Sequence, residues 1–231
     1  MSFTYRNCLL AQIKAGDLAR LELSMTPAVL AQRCHLVRPN EPIATCYFLE
    51  TGVASVTLAT PDGRQAEIGI IGSEGMINSA VAMGATDSPL EVFMQIPGSG
   101  HAIPTADVVA LAEDSPHFRG VLLAFTNSFM IQIAQSLLAA LTLTLDGRLA
   151  RWLLMSWDRS ASNTVPMTHE FLSLMLGVRR AGVTDALNRL KTAGLIKTSR
   201  GAIAIVDRDG LGARAGGSYA LQRRNFAAQS A

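Results

Sequence analysis

The sequence predicts an α+β chain: an N-terminal antiparallel β-roll of jelly-roll type, a long helix, and a C-terminal winged helix-turn-helix. Three observations predict it. Over 36–72 the apolar residues alternate or run in pieces of four to six, with turn signals between them. From Ser115 a spacing of three and four takes over and persists for several turns. Over 167–207 a helical pattern, a glycine, a second helical pattern and two short apolar runs follow one another.

The N-terminal "RNCLLAQIKAGDLARLEL" has helical spacing at Leu9, Leu10, Ile13, Leu18 and Leu21, broken near Gly16-Asp17, and reads as two short helices. From Leu36 short strands follow, punctuated by Pro39-Asn40, Gly52 and the hairpin signal "TPDGR". "SEGMINSAVAMGA" reads as a short helix opened by Ser73 as N-cap, and "LEVFMQIPG" and "GHAIPT" as further strands. Pro116 suits the first turn of the long helix. Leu122, Phe125, Phe129, Ile133 and Leu137 form its apolar stripe. A stripe of that length predicts packing against a second copy as well as against its own domain. A hinge is placed at 144–147, and "SASNTVP" reads as a polar turn.

In the last segment Thr168 caps a helix carrying Phe171, Leu172 and Met175. Gly177 supplies a turn needing positive φ. A second helix from Arg179 turns Val183, Leu187 and Leu190 inward, and Gly194 closes it. "LIKTSRGAIAIVD" is a two-stranded wing joined at Ser199-Arg200-Gly201.

Composition bounds the function. Hydrophobic residues make up 49% and charged residues 16%, enough for a core and against disorder. Residues 1–144 carry 7 Lys/Arg against 12 Asp/Glu, and residues 145–231 carry 13 against 6. An acidic part joined to a basic part predicts a polyanion as partner of the second. Cys8, Cys34 and Cys46 lack metal spacing, and Cys34 and Cys46 read as reduced core residues. Met1 to Asn7 is polar and unlike a signal peptide. No uninterrupted apolar run approaches the roughly 18 residues that span a bilayer. The chain therefore reads as cytoplasmic, with no membrane partner.

"FLSLMLGVRRAGVTDALNRLKTAGLI" resembles the recognition segment of the Crp/Fnr family of bacterial transcription regulators, in the branch with an LGVRRA-type helix. The resemblance runs from the "LLAQI" helix through roll and long helix to the wing. It implies a homodimer that binds double-stranded DNA at a near-palindromic operator, with RNA polymerase as a further partner. It divides the chain into a sensor roll at 1–114, a dimerisation helix at 115–144 and a DNA-binding domain at 145–231. The family's base-reading positions fall on Arg180, Ala181 and Asp185. Arg180 can present two donors to guanine, Ala181 offers apolar contact, and Asp185 can accept from cytosine. Phosphate contacts fall on Thr168, His169, Arg179, Thr184, Arg189, Ser199 and Arg200. Gly182, about one turn into that helix, is expected to let backbone approach DNA.

The resemblance also places an effector pocket at Gly72, Ser73, Glu74, Gly75 and Ser88. The glycine frame fits, but the family's glutamate position is Ser73, and its arginine position falls near Ser88-Pro89. No Arg or Lys occurs between Arg64 and Arg119, so a cyclic phosphate lacks its charged partner. Cyclic AMP is not expected to bind, and an unidentified small-molecule effector stays open. No cofactor is expected: the cysteine pattern of the iron–sulfur branch is absent, and His35, Cys46 and His101 are the unpaired candidates for a haem ligand. An enzyme of the cupin type needs clustered ligands, and His35, His101, His117 and His169 form no such array. The alternative to a DNA-binding regulator is a β-roll module for protein interaction or small-molecule binding.

Overall fold

A computed structural model describes residues 5–160, 162 and 164–229. The described residues resolve into two compact units, one built from 5–56 and 71–131, the other from 57–70 and 132–227. The start of the polar segment before Tyr5 lies outside the described residues, as do positions 161 and 163 of the predicted polar turn.

The first unit opens with α1 (Cys8–Gln12) and α2 (Ala15–Glu22). Asn7 is wholly buried and holds α1 in place. Its side-chain oxygen accepts from Leu9 N and Leu10 N at 3.1 Å, and its amide donates to Leu49 O and Gly75 O. An N-cap asparagine with every polar atom used leaves no orphan donor at that helix start. Two four-stranded antiparallel sheets follow. One has the order β1 (Thr26–Leu30), β8 (Gly98–Pro104), β3 (Thr45–Leu49), β6 (Met76–Ile77). The other has the order β2 (His35–Val37), β7 (Leu90–Ile96), β4 (Val53–Ala59), β5 (Gln65–Ile71). Between β3 and β8 the register pairs Cys46 with Ile103 and Phe48 with His101. Period-two alternation sends Phe48, Met76, Met94 and Ile103 fully inside. The order is that of a jelly-roll, as the punctuated short strands predict.

Three local expectations are corrected. The segment from Ser73 is no α-helix. It is a tight turn, the short β6 and a 3-10 helix at Ser79–Met83, whose leading Asn78 sits at φ 73°. Ser73 caps nothing there. β1 and α3 (Thr105–Asp114) are additional elements that the alternation argument passed over. Cys46 is buried and its thiol is pushed up to about 11 by burial, but Cys34 is only half-buried; none of the three is in a disulfide.

α4 (Pro116–Thr142) begins where Ser115 Oγ accepts from Phe118 N at 3.2 Å. Among the described residues it is the one helix long and apolar enough to cross a membrane by length and composition, although no uninterrupted apolar run reaches that length. Its buried Gln132 amide belongs to a protein contact: it accepts from Ile70 N at 2.8 Å and donates to Ile70 O at 3.1 Å.

The second unit continues with α5 (Leu145–Arg159), β9 (Thr164–Pro166), α6 (His169–Leu176), α7 (Arg180–Thr192), β10 (Ile196–Ser199), β11 (Ala202–Ile205) and α8 (Arg208–Gln229). β9 stands where a polar turn is expected. It pairs with β11, giving a three-stranded wing of order β10-β11-β9. Leu149, Leu153, Leu154, Leu172, Val183, Ala186, Leu190 and Ile203 build the core of this unit. α8 breaks at Gly216 (φ 67°, ψ −168°). Its first half is anchored by Arg208, which donates to Asp158 at 2.9 Å and Tyr219 Oη at 2.8 Å while lying 5.0 Å from the Trp157 ring.

Candidate nucleic-acid interface

The helix-turn-helix follows from three local features. Thr168 has extended backbone (φ −101°, ψ 155°) and accepts from Phe171 N at 3.2 Å, which starts α6. Gly177 ends it at φ 62°, ψ 39°, with its N–H on Leu174 O and that of Val178 on Ser173 O. That bond pair is a Schellman closure, and the left-handed residue in it favours glycine. Arg179 returns to extended backbone (φ −68°, ψ 145°) and leads into α7. Val183, Ala186, Leu187 and Leu190 then occupy the inward face.

The outward face of α7 carries Arg180, Ala181 and Asp185, all exposed. Asn188 is exposed as well, seven residues after Ala181 and three after Asp185, hence on the same face. Its amide was not singled out from sequence, although the same spacing from Val183 and Leu187 places it outward. The starts of α6 and α7 and the wing turn enclose a cleft of about 420 Å³. Thr168, His169, Arg180, Ser199 and Arg200 line it, together with Glu170. Residues far apart in sequence thus converge on one concave, cation-bearing surface.

Other candidates sit differently. Arg179 is exposed at the front of α7 but does not line the cleft. Arg189 faces Asp146 of α5 at 3.7 Å, where Arg214 also pairs at 3.1 Å. Burial raises the Asp146 carboxyl, but the hydrogen bond from Thr144 and the two arginines outweigh it and leave it below the usual range. The Thr184 hydroxyl is spent inside the protein, donating to Arg180 O at 3.2 Å. Gly182 does not face outward either. A β-carbon built on it would lie 3.1 Å from Leu145 Cδ2, so the expectation that its bareness serves DNA is corrected. The α5–α7 contact takes that space.

The basic excess of 145–231 is also partly internal. Arg148 donates to Leu176 O, Arg159 donates to Met155 O at 3.0 Å, and Arg151 donates to Ser136 Oγ at 3.3 Å. Arg151 is buried, and that burial pushes its guanidinium down to about 10. The cations that remain outside include the α7 and wing residues.

Gly75 N donates to Gly72 O at 3.2 Å, and Gly72 N donates to the buried Glu74 carboxylate at 3.1 Å. A carboxylate on that amide disfavours an anion at the same place. No α-helix starts at Ser73, so no helix N-terminus presents its N–H groups to an anion there. Beyond Gly75 the space belongs to Phe125, whose ring would lie 2.2 Å from a β-carbon there. Ser88 Oγ accepts from Leu90 N at 3.1 Å, closing a turn.

In α4, Leu122 and Phe125 are buried within their own unit, and Phe129 and Ile133 are half-buried. Leu122 and Phe125 are therefore no part of an exposed stripe. The apolar face left open runs through Met130, Ile131, Leu137, Leu138 and Leu141.

Residues 147–214 match the model of the Crp-like helix-turn-helix domain. No curated protein matches the sequence. Solved structures resemble most of the chain. A protein from Eubacterium rectale assigned to the Crp/Fnr family of transcriptional regulators aligns at TM-score 0.72 and 17% identity, over 90% of this chain and 97% of its own. FixK2 of Bradyrhizobium japonicum aligns at 0.68 and 18%, over 82% and 96%. A CRP-family transcriptional regulator of Thermus thermophilus aligns at 0.67 and 21%, over 83% and 96%. The chain therefore has the fold of Crp/Fnr regulators, and its residues 147–214 match the Crp-like helix-turn-helix model.

Proposed function

We propose that the protein is a sequence-specific DNA-binding transcription regulator of the Crp/Fnr type. One observation carries this reading: Thr168, His169, Arg180, Ser199 and Arg200 share one cleft in the domain matched by the Crp-like model. Arg180 stands at the front of an exposed helix face, where a guanidinium can take guanine O6 and N7 together. Ala181, Asp185 and Asn188 continue that face. Thr168, Ser199 and Arg200 flank it from the first helix and the wing, the geometry of phosphate contacts that fix register. Arg179 adds a cation beside them, and Arg189 serves the Asp146 contact.

The protein acts as a homodimer through the open face of α4, so that two α7 helices read a near-palindromic operator. Covering that face with a second copy removes Leu137, Leu138 and Leu141 from water. The pocket at Gly72 to Gly75 is degenerate and takes no cyclic nucleotide.

Selection of bound sequences from random duplex DNA tests the reading. A palindromic consensus, with affinity falling steeply as salt rises, supports it. Recovery of no consensus and no salt-sensitive complex refutes it in favour of a protein-interaction module.

A further inference from the structure

His169 at the start of α6 lines the cleft and meets Thr184 of α7, with His169 Nδ1 3.0 Å from Thr184 Oγ1. Threonine has one hydroxyl proton. Here it goes to Arg180 O, 3.2 Å away, the back-bond that hydroxyl side chains make within helices. With the hydroxyl donating to Arg180 O, the proton of the 3.0 Å contact comes from the histidine. In that arrangement Nδ1 is the protonated nitrogen, and in a neutral ring Nε2 is left as a bare acceptor. An acceptor is the wrong partner for a phosphate oxygen. Protonation turns Nε2 into a donor without disturbing the contact to Thr184.

We propose that the His169–Thr184 pair is a proton-coupled phosphate site, which binds a DNA phosphate with His169 as imidazolium and takes up a proton as DNA binds. The proposal rests on the reading of the cleft as a DNA-binding surface. Thr184 is a positioning residue: it acts by holding Nδ1 as a donor and does not itself touch phosphate. The charged groups around the ring support the coupling. Glu170 on its own helix favours the cation. Arg180 of α7 and Arg200 of the wing line the same cleft and oppose it. A bound phosphate screens those two arginines and adds a negative partner, so both changes raise the proton affinity of the ring in the complex. The bound state then holds the proton to higher pH than the free state. Affinity is highest at low pH and falls as pH rises, a trend scanned from about pH 5 to 8.

The experiment uses the full chain and a duplex recovered by selection, with affinity read by fluorescence anisotropy at fixed ionic strength across that range. Calorimetry in two buffers of different ionisation heat counts the protons directly. The wild type is expected to lose affinity by up to about tenfold per pH unit for each coupled proton. His169→Gln is expected to flatten the profile, because it hydrogen-bonds without titrating. His169→Lys is expected to bind with little pH dependence. Thr184→Val is expected to flatten it too, since a ring released at Nδ1 can adopt the other tautomer and donate while neutral. A flat wild-type profile, or His169→Gln with the wild-type slope, overturns the proton coupling and leaves the DNA-binding reading standing. Absence of a salt-dependent complex at every pH overturns both.

Discussion

Gly182 of α7 lies against Leu145 of α5, close enough that a β-carbon would stand 3.1 Å from Leu145 Cδ2. The glycine is a packing residue between two helices. Gly182→Ala gains helix propensity of about 1 kcal/mol and asks the flexible end of Leu145 to give by a few tenths of an ångström. The two effects oppose, so stability measured by urea unfolding is expected to stay within about 1 kcal/mol of wild type. DNA affinity is expected to be unchanged. Weaker binding by a normally folded Gly182→Ala protein would return the glycine to the DNA surface.

Arg180 is exposed at the front of α7 and lines the cleft. Arg180→Ala is expected to cost about 1–3 kcal/mol of discrimination between the selected operator and a mismatched one. Non-specific binding is expected to weaken much less, because the other cations remain. Competition titrations against random duplex separate the two. Equal losses on both duplexes would make Arg180 a phosphate contact.

The open face of α4 predicts which substitutions separate the protomers. Leu138→Glu and Leu141→Glu stand at exposed positions and are expected to leave monomer stability within about 0.5 kcal/mol. Each removes about 2 kcal/mol of apolar burial from a dimer, so sedimentation is expected to show self-association weakened by tens-fold or more. Phe125→Glu, by contrast, is expected to unfold its own unit, since Phe125 is 4% exposed. Dimers that survive both leucine substitutions would place the interface elsewhere.

Asp146 ties Arg214 and Arg189 to the start of α5. Its carboxyl is held below its ordinary value in the folded chain, with burial opposing and the Thr144 bond and the arginines prevailing. A depressed carboxyl contributes stability above the unfolded aspartate value of about 3.9. That contribution is lost as pH falls through the lower folded value. Both arginines are about half exposed, so Asp146→Asn is expected to cost about 1 kcal/mol at neutral pH. The variant is also expected to show a shallower loss of stability below about pH 4. Urea unfolding across a pH series reads both effects. A variant with an unchanged acid limb would locate the titrating group elsewhere.

Much of the fold was legible in single residues and short spacings. Thr168, Gly177 and Gly194 have the backbone that their chemistry predicts, because a cap or a left-handed turn is decided within about five residues of chain. The same holds for "TPDGR", where Thr60 N meets Arg64 O at 2.8 Å. The alternating runs of the roll were legible for the same reason. β9, β1 and the turn at Ser73 were not. β9 is three residues long and is a strand only because β11 offers it an edge. Ser73 is a competent cap with no helix to cap, because Gly75 must pass under Phe125.

The candidate site divides in the same way. That Arg180, Ala181 and Asp185 lie outward followed from the helical period and the apolar positions at Val183 and Leu187. Local chemistry was also enough for the helix-turn-helix and the wing turn. Tertiary packing alone decided where each remaining side chain spends itself. It sent Arg148, Arg151 and Arg159 inward although they count toward the basic excess, tied Arg189 to Asp146, turned Gly182 toward Leu145, and set Thr184 between Arg180 O and His169. Charge and hydroxyl groups satisfy whichever partner the fold brings nearest. A linear chain states which partners a residue can accept, while the three-dimensional neighbours determine which one it takes.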